Sequence, residues 1–243
     1  MALSTTDSGA THSLLNTSED AAALSRLGKW LPTLLSLIAG MVDLISYLTL
    51  GNIFTAHITG NLVVIAALIV RGGKMNVAQV LAIPVFILAV SATWLLARAS
   101  GRRGPGLARL LLLIQFLLLA GVLIFSVITN PAANPHGLLA GVAVMIAVSA
   151  MACQFALLRL ALPVAPSTAV MTGNLTNTVL SYLDTLPRSE PLIAGDADRL
   201  RRSLHLLVGF FVGCVVAAAA VSLLGEWAWS FPVGLAGVAV ILR

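Results

Sequence analysis

The sequence predicts an all-α integral membrane protein with six transmembrane helices, two short broken or re-entrant helices, and an inverted 3+3 internal repeat. Composition, the positions of the apolar runs and one duplicated motif support this prediction. Of the 243 residues, 59% are apolar and only 9% are charged, whereas soluble domains carry roughly 25% charged residues. The lipid bilayer is therefore the expected surrounding. The excess of Lys and Arg over Asp and Glu indicates charged loops and no nucleic-acid surface.

The polar beginning of the chain differs from the rest. Residues 1–25 are rich in Ser, Thr and Ala, and they lack the basic start, apolar core and cleavage site of a signal peptide. We interpret them as a disordered cytoplasmic tail. The first membrane repeat is then 26–130 and the second is 131–243.

Apolar runs of about twenty residues are long enough to cross a bilayer. Two shorter runs, at 58–70 and 168–183, have the length of half-helices or re-entrant segments. The six predicted spans lie at 31–50, 76–98, 107–129, 138–161, 204–225 and 227–242, of which the sixth is short.

The loop charges separate six spans from eight. If the two short runs crossed fully, the Arg cluster at 98–109 would lie outside, against the positive-inside tendency. With six spans, eleven of the fourteen Lys and Arg residues share the side of the N-terminus. Arg71 and Lys74 then lie outside, and Arg159 lies within the membrane. We therefore predict six spans and a cytoplasmic N-terminus.

The tripeptide Thr-Gly-Asn occurs at 59–61 and again at 172–174, a shift of 113 residues. In that register, 38–62 and 151–175 share eight identities, including a Thr-Ala pair before each tripeptide. Three spans in each half give the halves opposite orientations, as in many secondary transporters, whose sites lie near the midplane on interrupted helices. With eight spans, the two halves would be parallel.

Asp43 stands in the middle of the first apolar run. An ionised carboxylate at the centre of a bilayer is unfavourable by roughly 2.5 kcal/mol or more. The functional interpretation is a proton carrier or a cation ligand. The structural interpretation is an ion pair or a hydrogen bond between helices.

Other polar residues in the predicted spans allow two interpretations each. Arg159 aligns with Ser46, one turn from Asp43, so it either pairs with Asp43 or snorkels to the inner interface. Gln154 either lines a cavity or bonds across helices, and His57 is interpreted as a capping residue more readily than as a proton relay. The predicted solute or ion site consists of Asp43, Thr59, Gly60, Asn61, Gln154, Arg159, Thr172, Gly173 and Asn174.

The two tripeptides would open the short helices. A helix N-terminus presents unpaired N–H groups that suit an anion or a polar ligand. The alternative is a packing motif of small residues at a helix crossing, with Asn forming hydrogen bonds. The spacing of Gly209 and Gly213 likewise fits close helix packing or a homodimer.

No nucleophile elbow, P-loop or His-Glu metal pattern is present, so we expect no enzyme activity, no cofactor and no metal site. Cys153 and Cys214 lie inside apolar runs, so we interpret them as packing residues.

Two signatures resemble a known family. The segment 40–43, Phe54 and the segment 59–62 are similar to the opening signature of the YoaK-like bacterial membrane proteins, the domain-of-unknown-function 1275 family. Gln154 and 171–174 are similar to its second signature. The resemblance spans residues 30–240 and implies a bacterial inner-membrane protein with about six spans, but no established substrate. Cys153 replaces an expected Gly, which implies a slightly wider helix contact.

These observations together predict an inner-membrane secondary transporter, with proton coupling through Asp43, for a small polar or anionic solute. The alternatives are a passive channel for a small solute or ion, and a scaffold or sensor subunit that transports nothing.

Overall fold

The computed structural model describes residues 30–72, 76–162, 167, 168, 170–184 and 196–242. The predicted disordered tail at 1–25 lies outside these described residues. Short 3₁₀ helices lie at Pro131–Ala133 and Gly225–Trp229. The α-helices in the described part of the chain are α1 (Trp30–Thr49), α2 (Ile58–Arg71), α3 (Val77–Ala99), α4 (Gly104–Thr129), α5 (Leu138–Ala161), α6 (Met171–Asp184), α7 (Asp196–Leu224) and α8 (Ser230–Ile241).

Local sequence explains several helix ends. Asn76 accepts a hydrogen bond from the backbone N–H of Ala78 at 3.0 Å and thereby caps the start of α3. Gly72 closes α2 and Asn130 closes α4, both in the left-handed conformation that suits Gly and Asn at such ends. All described elements are helical, which agrees with the predicted all-α class.

Among the residues that the structure describes, five helical stretches are long and apolar enough to cross a membrane, where the sequence predicted six spans. The difference arises at the end of the chain, where Leu200–Ile241 forms one stretch of 42 residues. A straight helix of that length would measure about 63 Å, roughly twice the hydrocarbon thickness. The 3₁₀ helix that begins at Gly225, with φ of 55°, breaks this stretch into α7 and α8.

The helix α8 lies antiparallel to α4. The carboxylate of Glu226, before α8, accepts the backbone N–H of Ala132, after α4, at 2.9 Å. Farther along α8, a Cβ on Gly237 would lie 3.3 Å from the ring of Phe116 in the middle of α4. With 12 residues, α8 is shorter than a usual span.

The helices α1 and α7 run in the same direction with their backbones in close approach. Ser36 donates a hydrogen bond to the carbonyl of Leu206 at 2.7 Å. A Cβ on Gly213 would overlap the carbonyl oxygen of Leu37, and a Cβ on Gly40 would overlap that of Phe210. Small residues allow this kind of contact between membrane helices. The glycine pair of α7 therefore packs inside the monomer, against α1.

The helices α1 and α5 are central and run in opposite directions. In their apolar stretches, 67% of α1 and 56% of α5 is buried, compared with 17% of α3. Gln154, late in α5, bonds the carbonyl of Leu35, early in α1. At the other end, a Cβ on Gly51 would lie 2.6 Å from the carbonyl oxygen of Pro135, just before α5.

Candidate functional site

The carboxylate of Asp43 is buried against the chain segment that precedes α2. One of its oxygens, Oδ1, accepts the backbone N–H of Thr55 at 2.7 Å and that of Ala56 at 2.8 Å. The exposed fraction of Asp43 is 4%. Charged acceptors make strong hydrogen bonds with backbone N–H groups that have no helical partner. The acid therefore fixes the start of α2 to the middle of α1.

The second oxygen of Asp43 contacts His57. The distance from Oδ2 to Nδ1 of His57 is 2.6 Å. An ionised carboxylate only accepts, so beside an ionised Asp43 the donor in this contact is Nδ1 of His57, and Nε2 takes no part in it. The His57 side chain is 28% exposed, and its ring meets the Phe210 ring of α7 edge-on, with 4.9 Å between centroids.

The first Thr-Gly-Asn segment lies in the first turn of α2 and binds the chain that precedes this helix. The side chain of Asn61 accepts the N–H of Phe54 at 3.0 Å and donates to its carbonyl at 2.7 Å. The Phe54 ring lies over Gly60, where a Cβ would stand 3.0 Å from it. Asn61 is buried, whereas Thr59 is exposed.

The second segment repeats this geometry. Asn174 donates to the carbonyl of Ser167 at 2.9 Å, again seven residues earlier in the chain. Val170 lies over Gly173, with 3.0 Å between a Cβ there and its side chain. Asn174 is buried and Thr172 is exposed. The Asn of each tripeptide thus holds the chain before its short helix, which is the structural interpretation of the motif.

A second buried polar cluster surrounds Gln154. Its Nε2 donates to the carbonyl of Leu35 at 3.0 Å and contacts Oγ1 of Thr168 at 3.4 Å. Its Oε1 accepts from Nε2 of Gln115 in α4 at 2.7 Å. All four residues have no exposed surface. Gln154 therefore joins helices of both halves of the sequence, as one of its two interpretations required.

The predicted site residues fall into separate groups. Asp43 lies with the first tripeptide, and Gln154 contacts Thr168, which precedes the second. Arg159 is exposed in the last turn of α5. Among the described residues, the ion pair of Asp43 is with His57, so the Asp43–Arg159 pair, one of the two interpretations of Arg159, does not form.

Sequence reasoning gave too little weight to His57 and did not select Gln115. His57 lies 14 residues from Asp43, a separation with no helical regularity. Gln115 stands alone in a long apolar run, and a lone amide at that depth was the signal that could have identified it.

The comparisons with known proteins agree with the membrane fold. Residues 31–242 match the family described as "Protein of unknown function (DUF1275)", so the chain belongs to this family. The chain is also 47% identical over 45 residues to "UPF0700 transmembrane protein YoaK" of Bacillus subtilis (strain 168), which covers 18% of this chain and 20% of that protein. No solved structure matches.

Proposed function

We propose that this DUF1275-family membrane protein is a secondary transporter built from two inverted repeats. In this proposal α1, α3, α4, α5, α7 and α8 cross the bacterial inner membrane, and α2 and α6 are re-entrant. The observation that carries it is the opposite direction of α1 and α5, which begin the two repeats.

The path of the chain between α1 and α3 supports a re-entrant α2. A Cβ on Gly51, after α1, would lie 2.8 Å from Nδ2 of Asn76, before α3. The chain therefore returns to the level at which it left α1. Between these two points the chain descends to Asp43, to which Thr55 donates a hydrogen bond. Asp43 is six residues before the end of α1, which is about 9 Å along the helix axis at 1.5 Å per residue. A segment that descends and returns in this way does not cross.

The second half supports the same description. Thr168, which lies between α5 and α6, contacts Gln154. Gln154 lies two turns before the end of α5, so the chain has turned back into the depth of the bundle before α6 begins. The helices α1 and α7 are parallel, and the third turn of α7 lies at the level of Trp30, whose ring stacks on His205 with 6.1 Å between centroids. This level carries Arg98, Arg102 and Arg159 in the proposed topology, which favours a cytoplasmic N-terminus.

The Asp43–His57 pair is the proposed coupling group. Asp43 stays bound to the backbone N–H groups of Thr55 and Ala56, and Nε2 of His57 takes up and releases the proton. Because His57 contacts Phe210 of α7, its charge would favour one position of α7 over another along the glycine contact with α1.

The geometry changes the expected class of solute. The N–H groups before α2 already bind the Asp43 carboxylate. A second anion there would meet an ionised acid in a low-dielectric environment, which is unfavourable. We therefore place no anionic solute at the start of α2.

Flux measurements in proteoliposomes test the function. Vesicles that contain a pH-sensitive dye would be exposed to small uncharged solutes in a concentration series. A transporter gives saturable, solute-dependent proton movement, and His57→Gln abolishes the proton movement while Ser222→Ala, an exposed substitution on α7, retains it. Flux that rises linearly with concentration would identify a channel instead.

A further inference from the structure

The helices α3 and α4 both pack on α5, but they make few contacts with each other. An open groove lies between them, with a stripe of α5 as its floor. It has a volume of about 970 Å³, within the range of ligand sites. The floor residues Leu138, Val142, Met145 and Ser149 recur every three or four positions, so they share one face of α5.

The depth of this groove matches one leaflet of a bilayer. Leu138 and Ser149 are eleven positions apart, which is about 16 Å along α5 at 1.5 Å per residue. On α4, the lining residue Leu118 lies eleven positions before the helix end at Thr129, which gives the same depth. Half of a hydrocarbon thickness of about 30 Å is about 15 Å. The groove therefore extends from the helix ends to about the midplane, as an acyl chain does.

The open end of the groove is polar. Oδ1 of Asn76 accepts the backbone N–H of Ala78, so the NH₂ group of Asn76 is the part that lies 3.4 Å from Nδ1 of His136. An amide nitrogen only donates, so Nδ1 accepts and the ring proton is on Nε2. Asn76 and His136 both line the groove. The two side chains thus bring N–H donors to its open end, where a lipid carries its phosphate and ester oxygens.

We propose that this groove binds one acyl chain of a phospholipid, whose phosphate or ester oxygens accept hydrogen bonds from Asn76 and His136. No Asp, Glu, Lys or Arg lines the groove. The hydroxyl of Ser149 at the deep end donates to the carbonyl of Met145 at 2.8 Å, so an apolar chain end leaves it satisfied.

The hydrogen bonds at the open end and the shape of the groove would hold this lipid. An acyl chain gains little hydrophobic free energy when it moves from the bilayer onto a protein surface that is equally apolar. The proposed topology assigns the groove to the outer leaflet, whereas the site itself does not depend on transport.

Photoactivatable phosphatidylcholine tests the site in nanodiscs, with the diazirine placed either near the glycerol or at the end of one acyl chain. We expect chain-end adducts on Met145 and Ser149, and glycerol-side adducts on Val77 and Leu138. Both should be enriched several-fold over adducts on Val215, an exposed residue of α7 that meets bulk lipid in the proposed topology. Equal labelling of the groove and of Val215, or the opposite order of depth, would overturn the site.

Substitutions in the groove make the test specific. Leu118→Trp fills the groove and should remove the enrichment, whereas Leu117→Trp, at an exposed neighbour that does not line it, should keep it. His136→Phe retains a ring but removes its N–H, and it should lower the enrichment by roughly fivefold, as the loss of one net hydrogen bond would. Equal enrichment in wild type and Leu118→Trp would overturn the site.

A second variant covers the case in which Leu118→Trp fails to fold. Ser149→Phe fills the deep end alone, so it should remove chain-end adducts from Met145 and keep glycerol-side adducts on Leu138. A groove without lipid adducts in a dimeric protein would identify a second copy of the chain as its occupant and overturn the lipid site. Solute flux enters none of these outcomes, so failure of the lipid site and failure of the transport function are distinguishable.

Discussion

Nδ1 of His57 lies 2.6 Å from Oδ2 of Asp43, and this contact joins the segment before α2 to the middle of α1. The same carboxylate holds two backbone N–H groups. The acid thus has a structural role even where it also couples a proton. Substitutions can separate the two roles because Asn keeps an acceptor oxygen while it removes the charge.

Asp43→Ala should destabilise the protein more than Asp43→Asn. Alanine leaves the N–H groups of Thr55 and Ala56 buried without an acceptor, each at a free-energy loss of roughly 1–3 kcal/mol. Asparagine can accept at least one of them. Thermal unfolding in detergent would rank the variants, and an equal loss for both would contradict the anchoring role.

Asn61→Ala and Asn174→Ala should each lower the stability, by about 1–3 kcal/mol, because each Asn holds the residue seven positions earlier. Asn177→Ala is the matched control on α6, since Asn177 is exposed. Unfolding midpoints of the three variants would test the shared role of the two motifs. If Asn177→Ala were as damaging as Asn174→Ala, the shared role would be wrong.

Gly213→Ala should disrupt the contact between α1 and α7. The added methyl group would overlap the carbonyl oxygen of Leu37, which belongs to backbone and cannot rotate away. Overpacking typically destabilises by about 1–3 kcal/mol. Gly121→Ala on α4, which meets nothing within 4 Å, should be neutral or stabilising. Size-exclusion profiles and unfolding midpoints would distinguish these outcomes.

Single cysteines should report the topology. In a background without Cys153 and Cys214, probes at Arg71 and Asn134 should react with an impermeant reagent from outside. Cysteines at Arg102 and Arg201 should react with the same reagent only after the membrane is permeabilised. Labelling of Arg71 and Arg201 from the same side would contradict six crossings and, with them, the inverted repeats.

The sequence was sufficient for much of the fold. Runs of apolar residues predicted the long helices, and Thr-Gly-Asn predicted both short helices near their observed starts at Ile58 and Met171. These features depend on local composition and motif. The sequence placed the break between the last two spans at residue 226, but the helical form of that connection, the 3₁₀ helix Gly225–Trp229, was not predicted.

The site was harder to predict than the fold. The partners of Asp43 include backbone N–H groups, and any residue type except proline supplies those. The repeat alignment allowed Arg159 either to pair with Asp43 or to snorkel, and its position in the last turn of α5 leaves it exposed. Gln154 was selected as a polar residue in a predicted span, but its link to Gln115 depends on how α4 and α5 pack.

The link between Asp43 and the segment 55–57 has a consequence for biosynthesis. When α1 first leaves the ribosome, the carboxylate of Asp43 has no hydrogen-bond donors, because the donor residues are twelve to fourteen positions farther along the chain. Insertion of α1 alone therefore exposes an uncompensated carboxylate to lipid. The nascent chain gains its stable first helix only when the returning segment has been delivered into the membrane beside it.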